Sequence, residues 1–141
     1  MLRVEGINTF YGAAQILFDL SLSIERGETV CLLGRNGAGK TTTLRSIMGL
    51  TSPANGRISF NGEDITGKPS FVIAQRGIGF VPEDRRIFPS LTVRRNLDIG
   101  AKKGSSGNGL AEWTEKIIFE HFPQLAKVAD RVGEYLSGGR S

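Results

Sequence analysis

Apolar and polar side chains alternate along residues 2–10 and 16–25, which is the pattern of half-buried β-strands. Two shorter segments, residues 29–33 and 77–81, are apolar apart from a threonine in the first and glycines in the second. Short apolar runs of this kind are typical of strands that are buried on both faces of a parallel sheet. The pattern therefore predicts half-buried strands followed by two strands of a buried sheet.

The remaining elements are predicted from turn residues and from helical spacing. Residues 57–60, followed by Asn61 and Gly62, predict a strand that enters a tight hairpin turn. Apolar residues that recur three or four positions apart predict helices over residues 40–50, 70–76, 92–101 and 110–122. Strands interspersed with helices in this way predict an α/β fold.

Composition and charge exclude several classes of protein. Hydrophobic residues make up 39% of the chain, enough for a core, which argues against a disordered chain. The net charge of +4 is scattered, and no basic patch with interleaved aromatic residues occurs, so we expect no nucleic-acid partner. No apolar run reaches the roughly 20 residues that cross a bilayer, and the N-terminus does not have the pattern of a signal peptide.

The chain has one cysteine, Cys31, which lies within the predicted strand of residues 29–33. A cysteine in a buried strand is normally a small apolar core residue, so we expect a buried thiol rather than a reactive one. A single cysteine also forms no internal disulfide, which fits a reducing, cytosolic setting.

Residues 34–41 form the candidate phosphate-binding loop, because they match the motif G-x-x-x-x-G-K-[ST] at every fixed position. The loop follows a predicted buried strand and opens a predicted helix, which is the context that the motif requires. Glycines allow successive backbone N–H groups to point at phosphate oxygens, and the helix N-terminus favours an anion. Lys40 would place its charge on the β- and γ-phosphates, and the Thr41 hydroxyl would ligate Mg²⁺. A dinucleotide-binding loop fits less well, since Thr42 stands where its third glycine is required.

The loop therefore predicts a binding site for ATP and Mg²⁺. The predicted contacts are Gly34, Arg35, Asn36, Gly37, Ala38, Gly39, Lys40, Thr41 and Thr42.

Over its whole length the sequence resembles the ATP-binding subunits of ABC transporters. Three segments carry the resemblance: the loop with its continuation to Leu44, residues 18–28 before it, and residues 136–139, which match the start of the family's signature. The resemblance implies a partial P-loop NTPase core with an N-terminal antiparallel β portion, together in residues 1–91. It also implies the start of a helical subdomain in residues 92–141.

Residues 77–97 are most similar to importers of branched-chain amino acids and related compounds. Urea-type and other amide importers share much of this segment. The resemblance therefore implies an ABC importer ATPase for small polar solutes, with the cargo open between these groups.

The resemblance assigns roles to two residues outside the loop. Tyr11 matches the aromatic residue that stacks on adenine, although an ordinary strand or loop tyrosine is the alternative. Glu83 stands where most of the family has a glutamine that senses Mg²⁺ and the γ-phosphate, and its alternative is a solvated loop acid. With these roles, Lys40 and Glu83 are the expected catalytic residues, and Thr41 and Glu83 the expected metal ligands.

The resemblance also implies two kinds of partner. Ser137, Gly138 and Gly139 would contact the γ-phosphate bound by a second ATP-binding subunit in a head-to-tail dimer, although Arg140 departs from the family's usual Gln or Glu. The segment bounded by Asp84 and Asn96 would face a membrane permease. The expected location is the cytoplasmic face of the cell membrane.

The hydrolytic part of the family's machinery has no match in this sequence. The family uses four apolar residues followed by Asp-Glu to hold Mg²⁺ and to orient the attacking water, and no such run occurs here. Phosphoryl transfer needs a positioned nucleophile and metal as well as a phosphate cradle. We therefore expect an N-terminal portion of a longer subunit that binds nucleotide without efficient hydrolysis.

Two other functions remain as alternatives. One is a non-hydrolysing nucleotide-binding or interaction module. The other is an ABC-type ATPase that acts on nucleic acid or protein complexes without a permease, and the importer-like segment of residues 83–97 argues against it.

Overall fold

The computed structural model describes residues 1–84, 86–101 and 113–136. These residues belong to two compact units, Met1–Val81 and Pro82–Ser141. The domain boundary expected after residue 91 stays a prediction. Among the described residues, no helix has the length and apolar character needed to span a membrane.

The first unit is built on a four-stranded antiparallel sheet. Its strands are β1 (Leu2–Tyr11), β2 (Ala14–Ile24), β3 (Asn55–Phe60) and β4 (Glu63–Asp64), in the order β2-β1-β3-β4. The hairpin turn predicted at Asn61 and Gly62 is present, and both residues have positive φ angles, 51° and 85°. The antiparallel N-terminal portion is thus confirmed.

A bulge in β1 determines which of its side chains enter the core. Pairing with β2 shifts register between Val4 and Ile7, and Gly6 in between has a φ of 56°. Because the inserted residue changes the phase of the alternation, Val4 is buried before the bulge and Ile7 and Thr9 after it. The bulge keeps all three on the face that carries the core.

Two helices, α1 (Lys40–Ile47) and α2 (Ser70–Gln75), complete the first unit. The buried apolar core consists of Val4, Ile7, Leu17, Ile47, Met48, Ile58, Ile65 and Ile73. The Thr9 and Ser46 hydroxyls lie 3.0 Å apart in this core, so a buried hydrogen bond joins β1 to α1. α1 ends earlier than predicted because Gly49, with a φ of 66°, and Leu50 donate backbone hydrogen bonds to Ser46 and Arg45, a common helix stop.

The two predicted buried strands, residues 29–33 and 77–81, are not strands in the structure. Val30 is 39% exposed, Leu33 is 88% exposed and Val81 is 93% exposed. A buried parallel strand requires hydrogen-bonded neighbours, and no strand among the described residues pairs with either segment. The expectation of a buried thiol is wrong for the same reason, since Cys31 is exposed.

The second unit is helical, with α3 (Val93–Gly100), α4 (Glu115–His121), α5 (Pro123–Ala126) and a final 3₁₀ turn, Gly133–Leu136. The Thr92 and Thr114 side chains cap α3 and α4 by accepting backbone hydrogen bonds. Residues 110–112 of the predicted fourth helix lie outside the described residues. The observed sheet and helices confirm the α/β fold class.

Arg94 of α3 joins three parts of this unit. Its guanidinium donates to Glu115 of α4 and, at 3.2 Å, to Asp130, and it lies 5.8 Å from the centre of the Phe119 ring. Hydrogen bonds to Asp130 and Glu115 raise the pKa of Arg94. The side chain therefore holds α3 and α4 together as a charged link.

Candidate functional site

The loop of residues 34–39 precedes α1 and is exposed as far as Ala38. Gly37 and Gly39 have φ angles of 83° and 88°, in the left-handed region that favours glycine. The Ala38 N–H donates to the Arg35 carbonyl at 3.1 Å, which closes a tight turn inside the loop. The backbone thus has the curvature that the motif predicts.

Gly39 is required by packing as well as by conformation. A Cβ at this position would lie 2.7 Å from Cδ2 of Leu17, a residue that is only 4% exposed, and 3.5 Å from the Ile16 carbonyl oxygen. The loop therefore reaches α1 by passing directly over β2. This close approach fixes the start of the helix against the sheet.

The first turn of α1 offers donors to an anion. By helix geometry the N–H groups of Lys40, Thr41 and Thr42 have no intrahelical carbonyl to bond. The first helical bond is made by Thr43, whose N–H donates to the Gly39 carbonyl at 2.8 Å and whose hydroxyl donates to the same oxygen at 2.9 Å. Free donors at a helix N-terminus, next to a curved glycine loop, fit a phosphate group.

Lys40 folds back over the loop that precedes it. Its Nζ donates to the carbonyl oxygens of Gly34, at 2.7 Å, and Arg35, at 2.9 Å. An ammonium group has three donors, so these two bonds hold the charge against the loop while leaving one for a ligand. A cation fixed beside backbone donors produces a site complementary to a polyphosphate.

The two predicted metal ligands lie in different units. Thr41, on the first turn of α1, is exposed and supplies a hydroxyl oxygen, a type of ligand that Mg²⁺ accepts. Glu83 is also exposed, but it belongs to the second unit. The predicted role of Glu83 beside Thr41 therefore stays a prediction.

Tyr11, the last residue of β1, lies beside α1. Its hydroxyl is 3.3 Å from the Thr51 hydroxyl, and the ring is 46% exposed. The pKa of Tyr11 is lowered, chiefly by the hydrogen bond with Thr51. Burial opposes this shift, and the Thr42 hydroxyl and Arg45 lower the pKa further by smaller amounts. The structure thus brings Tyr11 and the phosphate loop to the same helix.

The other predicted contacts are outside what the structure describes. Ser137, Gly138 and Gly139 of the predicted signature lie beyond the described residues, which end at Leu136 in the 3₁₀ turn. Their role stays a prediction.

Sequence reasoning missed the pair formed by Arg45 and Thr51. Arg45 Nε donates to Thr51 Oγ1 at 3.4 Å, and Thr51 in turn contacts Tyr11. Neither residue belongs to a motif, and their meeting with Tyr11 depends on how β1 packs against α1. No local signal in the sequence could have identified them.

Comparison with known proteins agrees with this geometry. The family model described as ABC transporter matches residues 17–141. The high-affinity branched-chain amino acid transport ATP-binding protein BraG of Pseudomonas aeruginosa is 37% identical over 139 residues, which cover 99% of this chain and 59% of BraG. The lipopolysaccharide export system ATP-binding protein LptB of Haemophilus influenzae is 37% identical over 141 residues, covering 99% of this chain and 58% of LptB.

A solved structure of an ATP-binding subunit of an ABC transporter is also similar. It is 30% identical, with a TM-score of 0.77, and the match covers 94% of this chain and 54% of that one. The chain thus spans a little over half the length of these relatives. Since the family model covers most of the chain and the loop has the geometry of a phosphate site, the chain belongs to the ABC transporter family, as an ATP-binding domain.

Proposed function

We propose that this chain is part of the ATP-binding subunit of an ABC importer and binds ATP together with Mg²⁺. The observation that carries the proposal is the position of Lys40, whose ammonium is held on the carbonyls of Gly34 and Arg35 beside the first turn of α1. This arrangement provides a cation, helix N–H donors and a curved glycine loop within one short segment. Those are the groups that a polyphosphate requires.

Each residue of the site would have a separate role. The backbone N–H groups of the loop and of Thr42 would bind phosphate oxygens. Lys40 would neutralise the charge of the β- and γ-phosphates. The Thr41 hydroxyl would hold Mg²⁺, which supplies positive charge on the same phosphates. Tyr11 would stack its open ring face on the adenine base.

The partners follow from family membership as further proposals. A second ATP-binding subunit would meet this chain through Ser137, Gly138 and Gly139, and a membrane permease would meet the segment bounded by Asp84 and Asn96. The protein would then act at the cytoplasmic face of the membrane.

Within the segment proposed to face the permease, two neighbouring apolar side chains are exposed. Ile87 is 53% exposed and Phe88 is 54% exposed. The Asn96 side chain holds the loop behind them: it accepts from the Phe88 N–H at 2.8 Å and donates to the carbonyls of Phe88, at 3.0 Å, and Leu91, at 3.3 Å. A loop fixed in this way loses less conformational entropy when a partner binds.

We expect Asn96→Ala to release this loop. The substitution removes the acceptor of the Phe88 N–H, so hydrogen exchange at that amide should be faster by about tenfold, the effect of losing one net hydrogen bond. Exchange measured by NMR checks this. Asp98→Ala on the same helix is the matched control and should leave the exchange rate of the Phe88 amide unchanged. Equal rates in the parent and both variants would show that Asn96 does not hold the loop.

Two proteins with 37% identity to this chain, BraG and LptB, are named for different transport systems, one for amino acids and one for lipopolysaccharide export. Sequence similarity therefore does not select the cargo. We propose branched-chain amino acids or similar small polar solutes on the basis of residues 77–97, with urea-type amides as the alternative. Identification of the permease and the solute-binding protein that co-purify with the subunit tests this choice.

We further propose that this chain binds nucleotide without efficient hydrolysis. Its sequence contains no apolar run followed by Asp-Glu to orient the attacking water, and a phosphate cradle alone does not position a nucleophile. A non-hydrolysing nucleotide-binding module is the second candidate function that this observation favours.

Phosphate release from MgATP tests the separation of binding from hydrolysis. We expect the chain to bind MgATP while its rate of phosphate release stays at the level of Lys40→Ala. Magnesium-dependent release that disappears in Lys40→Ala would show that this chain is itself an ATPase.

A further inference from the structure

The proposed stacking of Tyr11 on adenine requires that its ring stay at a fixed distance from the phosphate loop. In ATP the base and the polyphosphate are parts of one ligand. Each contact therefore contributes fully to the affinity only when the protein binds both parts at the same time. Tyr11 is the last residue of its strand, and the next residue, Gly12, has a φ of 58° in the turn to β2. Tyr11 is 46% exposed, so the contact that holds its hydroxyl contributes to the position of its ring.

The hydroxyl of Tyr11 is held by a short chain of hydrogen bonds. The Thr51 hydroxyl oxygen lies 3.3 Å from the Tyr11 hydroxyl and accepts from Arg45 Nε at 3.4 Å. Because the arginine donates to this oxygen, the Thr51 hydrogen is free to point to the Tyr11 oxygen. This bond is also the chief cause of the lowered pKa of Tyr11.

Thr51 is in turn bound to α1. The N–H groups of Leu50 and Thr51 both donate to the Arg45 carbonyl, at 2.9 Å and 3.3 Å. α1 begins at Lys40, directly after the phosphate loop. Through Thr51, the tip of the Tyr11 ring is therefore attached to the C-terminal end of the helix that begins directly after the phosphate loop. Thr42 and Arg45, on the same helix, also interact with the Tyr11 hydroxyl.

We propose that Thr51 is a positioning residue that holds the Tyr11 ring at a fixed distance from the phosphate loop, so that it contributes to affinity for the nucleoside part of the ligand and not for its phosphates. This role rests on the proposed binding of ATP by the loop and by Tyr11. It differs from a purely structural role, which would change the binding of every ligand alike.

The test compares two ligands and a set of conservative variants of the full chain. The ligands are MgATP and magnesium tripolyphosphate, which has the phosphates without ribose and base. Thr51→Val keeps the size of the side chain and removes its hydroxyl, and Tyr11→Phe keeps the ring and removes its hydroxyl. Ser52→Ala, which removes the hydroxyl of the next residue, is the matched control.

We expect Thr51→Val and Tyr11→Phe each to weaken MgATP binding by about threefold, which is the effect of one exposed hydrogen bond. The double variant should be no weaker than Tyr11→Phe alone, because loss of the Tyr11 hydroxyl already removes its contact with Thr51 along with those with Thr42 and Arg45. Binding of tripolyphosphate should be unchanged in Thr51→Val, which leaves the contact of Tyr11 with Thr42 in place, and Ser52→Ala should bind both ligands as the parent does. Calorimetric titration measures these affinities.

A second measurement does not require a ligand. Tyr11 and Tyr135 are the two tyrosines of the chain, so the absorbance of the phenolate reports both during a titration with base. In Thr51→Val the pKa of Tyr11 should rise towards its ordinary value, and Tyr11→Phe identifies which transition belongs to this residue. Ser52→Ala should titrate as the parent does.

The outcomes separate the positioning role from the proposed function. If Tyr11→Ala weakens MgATP and Thr51→Val does not, the positioning role is overturned while nucleotide binding stands. An unchanged Tyr11 titration in Thr51→Val overturns it as well. If the parent chain binds neither ligand, or if Tyr11→Ala binds MgATP as the parent does, the proposed role of Tyr11 at the nucleotide fails and the role of Thr51 fails with it.

Discussion

Lys40→Ala should weaken MgATP binding by about 10- to 100-fold, the range that one or two charged hydrogen bonds contribute. The lysine is held by the carbonyls of Gly34 and Arg35, so its charge is already in place when a phosphate arrives. Those bonds lie at an exposed loop, and their loss should change the free energy of unfolding by less than about 1 kcal/mol. Calorimetric titration and urea denaturation measure the two effects separately.

Lys127→Ala is the matched control, since it removes an exposed lysine from the second unit. It should bind MgATP as the parent does. If both variants bind equally well, the affinity does not come from the phosphate loop. If Lys40→Ala unfolds at a much lower urea concentration, its lost binding would instead report a lost fold.

Gly39→Ala should lower the free energy of unfolding by about 3 kcal/mol. About 1 kcal/mol comes from the left-handed backbone, with a φ of 88°, and the remainder from overpacking of a well-filled core. The added Cβ would lie 2.7 Å from Cδ2 of the buried Leu17, so the start of α1 would have to move away from β2. MgATP binding should fall with it, because the helix N-terminus and the loop would no longer be aligned.

Gly37→Ala separates the two contributions to this loss. Gly37 has a nearly identical φ of 83°, but no heavy atom lies within 4 Å of its added Cβ. We expect this variant to lose only the backbone part, about 1 kcal/mol. Equal losses in the two variants, measured by urea denaturation, would show that contact with Leu17 is unimportant.

The local parts of the fold could be predicted from the sequence. The hairpin at Asn61 and Gly62 follows from turn residues that accept positive φ angles, and α3 lies within the helix predicted over residues 92–101. These features depend on residues that are adjacent in the chain. The positions of β1 and β2 were also evident, because apolar and polar residues alternate along both.

The two apolar runs at residues 29–33 and 77–81 could not be assigned correctly from their own residues. Their composition indicates a strand, but a strand forms only when another strand provides its hydrogen bonds, and the described residues provide none. Ile78 and Phe80 still pack against the core of the first unit, whereas Val81 and Cys31 are exposed. The apolar pattern therefore predicted that these segments favour the strand conformation, but it did not predict whether another strand pairs with them.

The candidate site likewise has one part that the sequence predicts and one part that it does not. The phosphate loop was predictable because its chemistry requires particular residues at fixed spacing within eight positions. The contact of Tyr11 with Thr51 was not predictable, since the two residues are 40 positions apart and meet through the packing of β1 on α1. The resemblance suggested a role for the tyrosine, and the structure supplied the residue that holds it.

We propose above all that the loop of residues 34–41 binds the phosphates of a nucleotide. Competitive titration of ATP, ADP and AMP in the presence of Mg²⁺ tests it most directly, because the three ligands share the base and ribose and differ in phosphates. We expect affinity to fall from ATP to ADP, and AMP to bind at least about tenfold more weakly than ATP, since it lacks the β- and γ-phosphates that Lys40 would contact. Equal affinity for all three, or no binding of ATP, would contradict the claim.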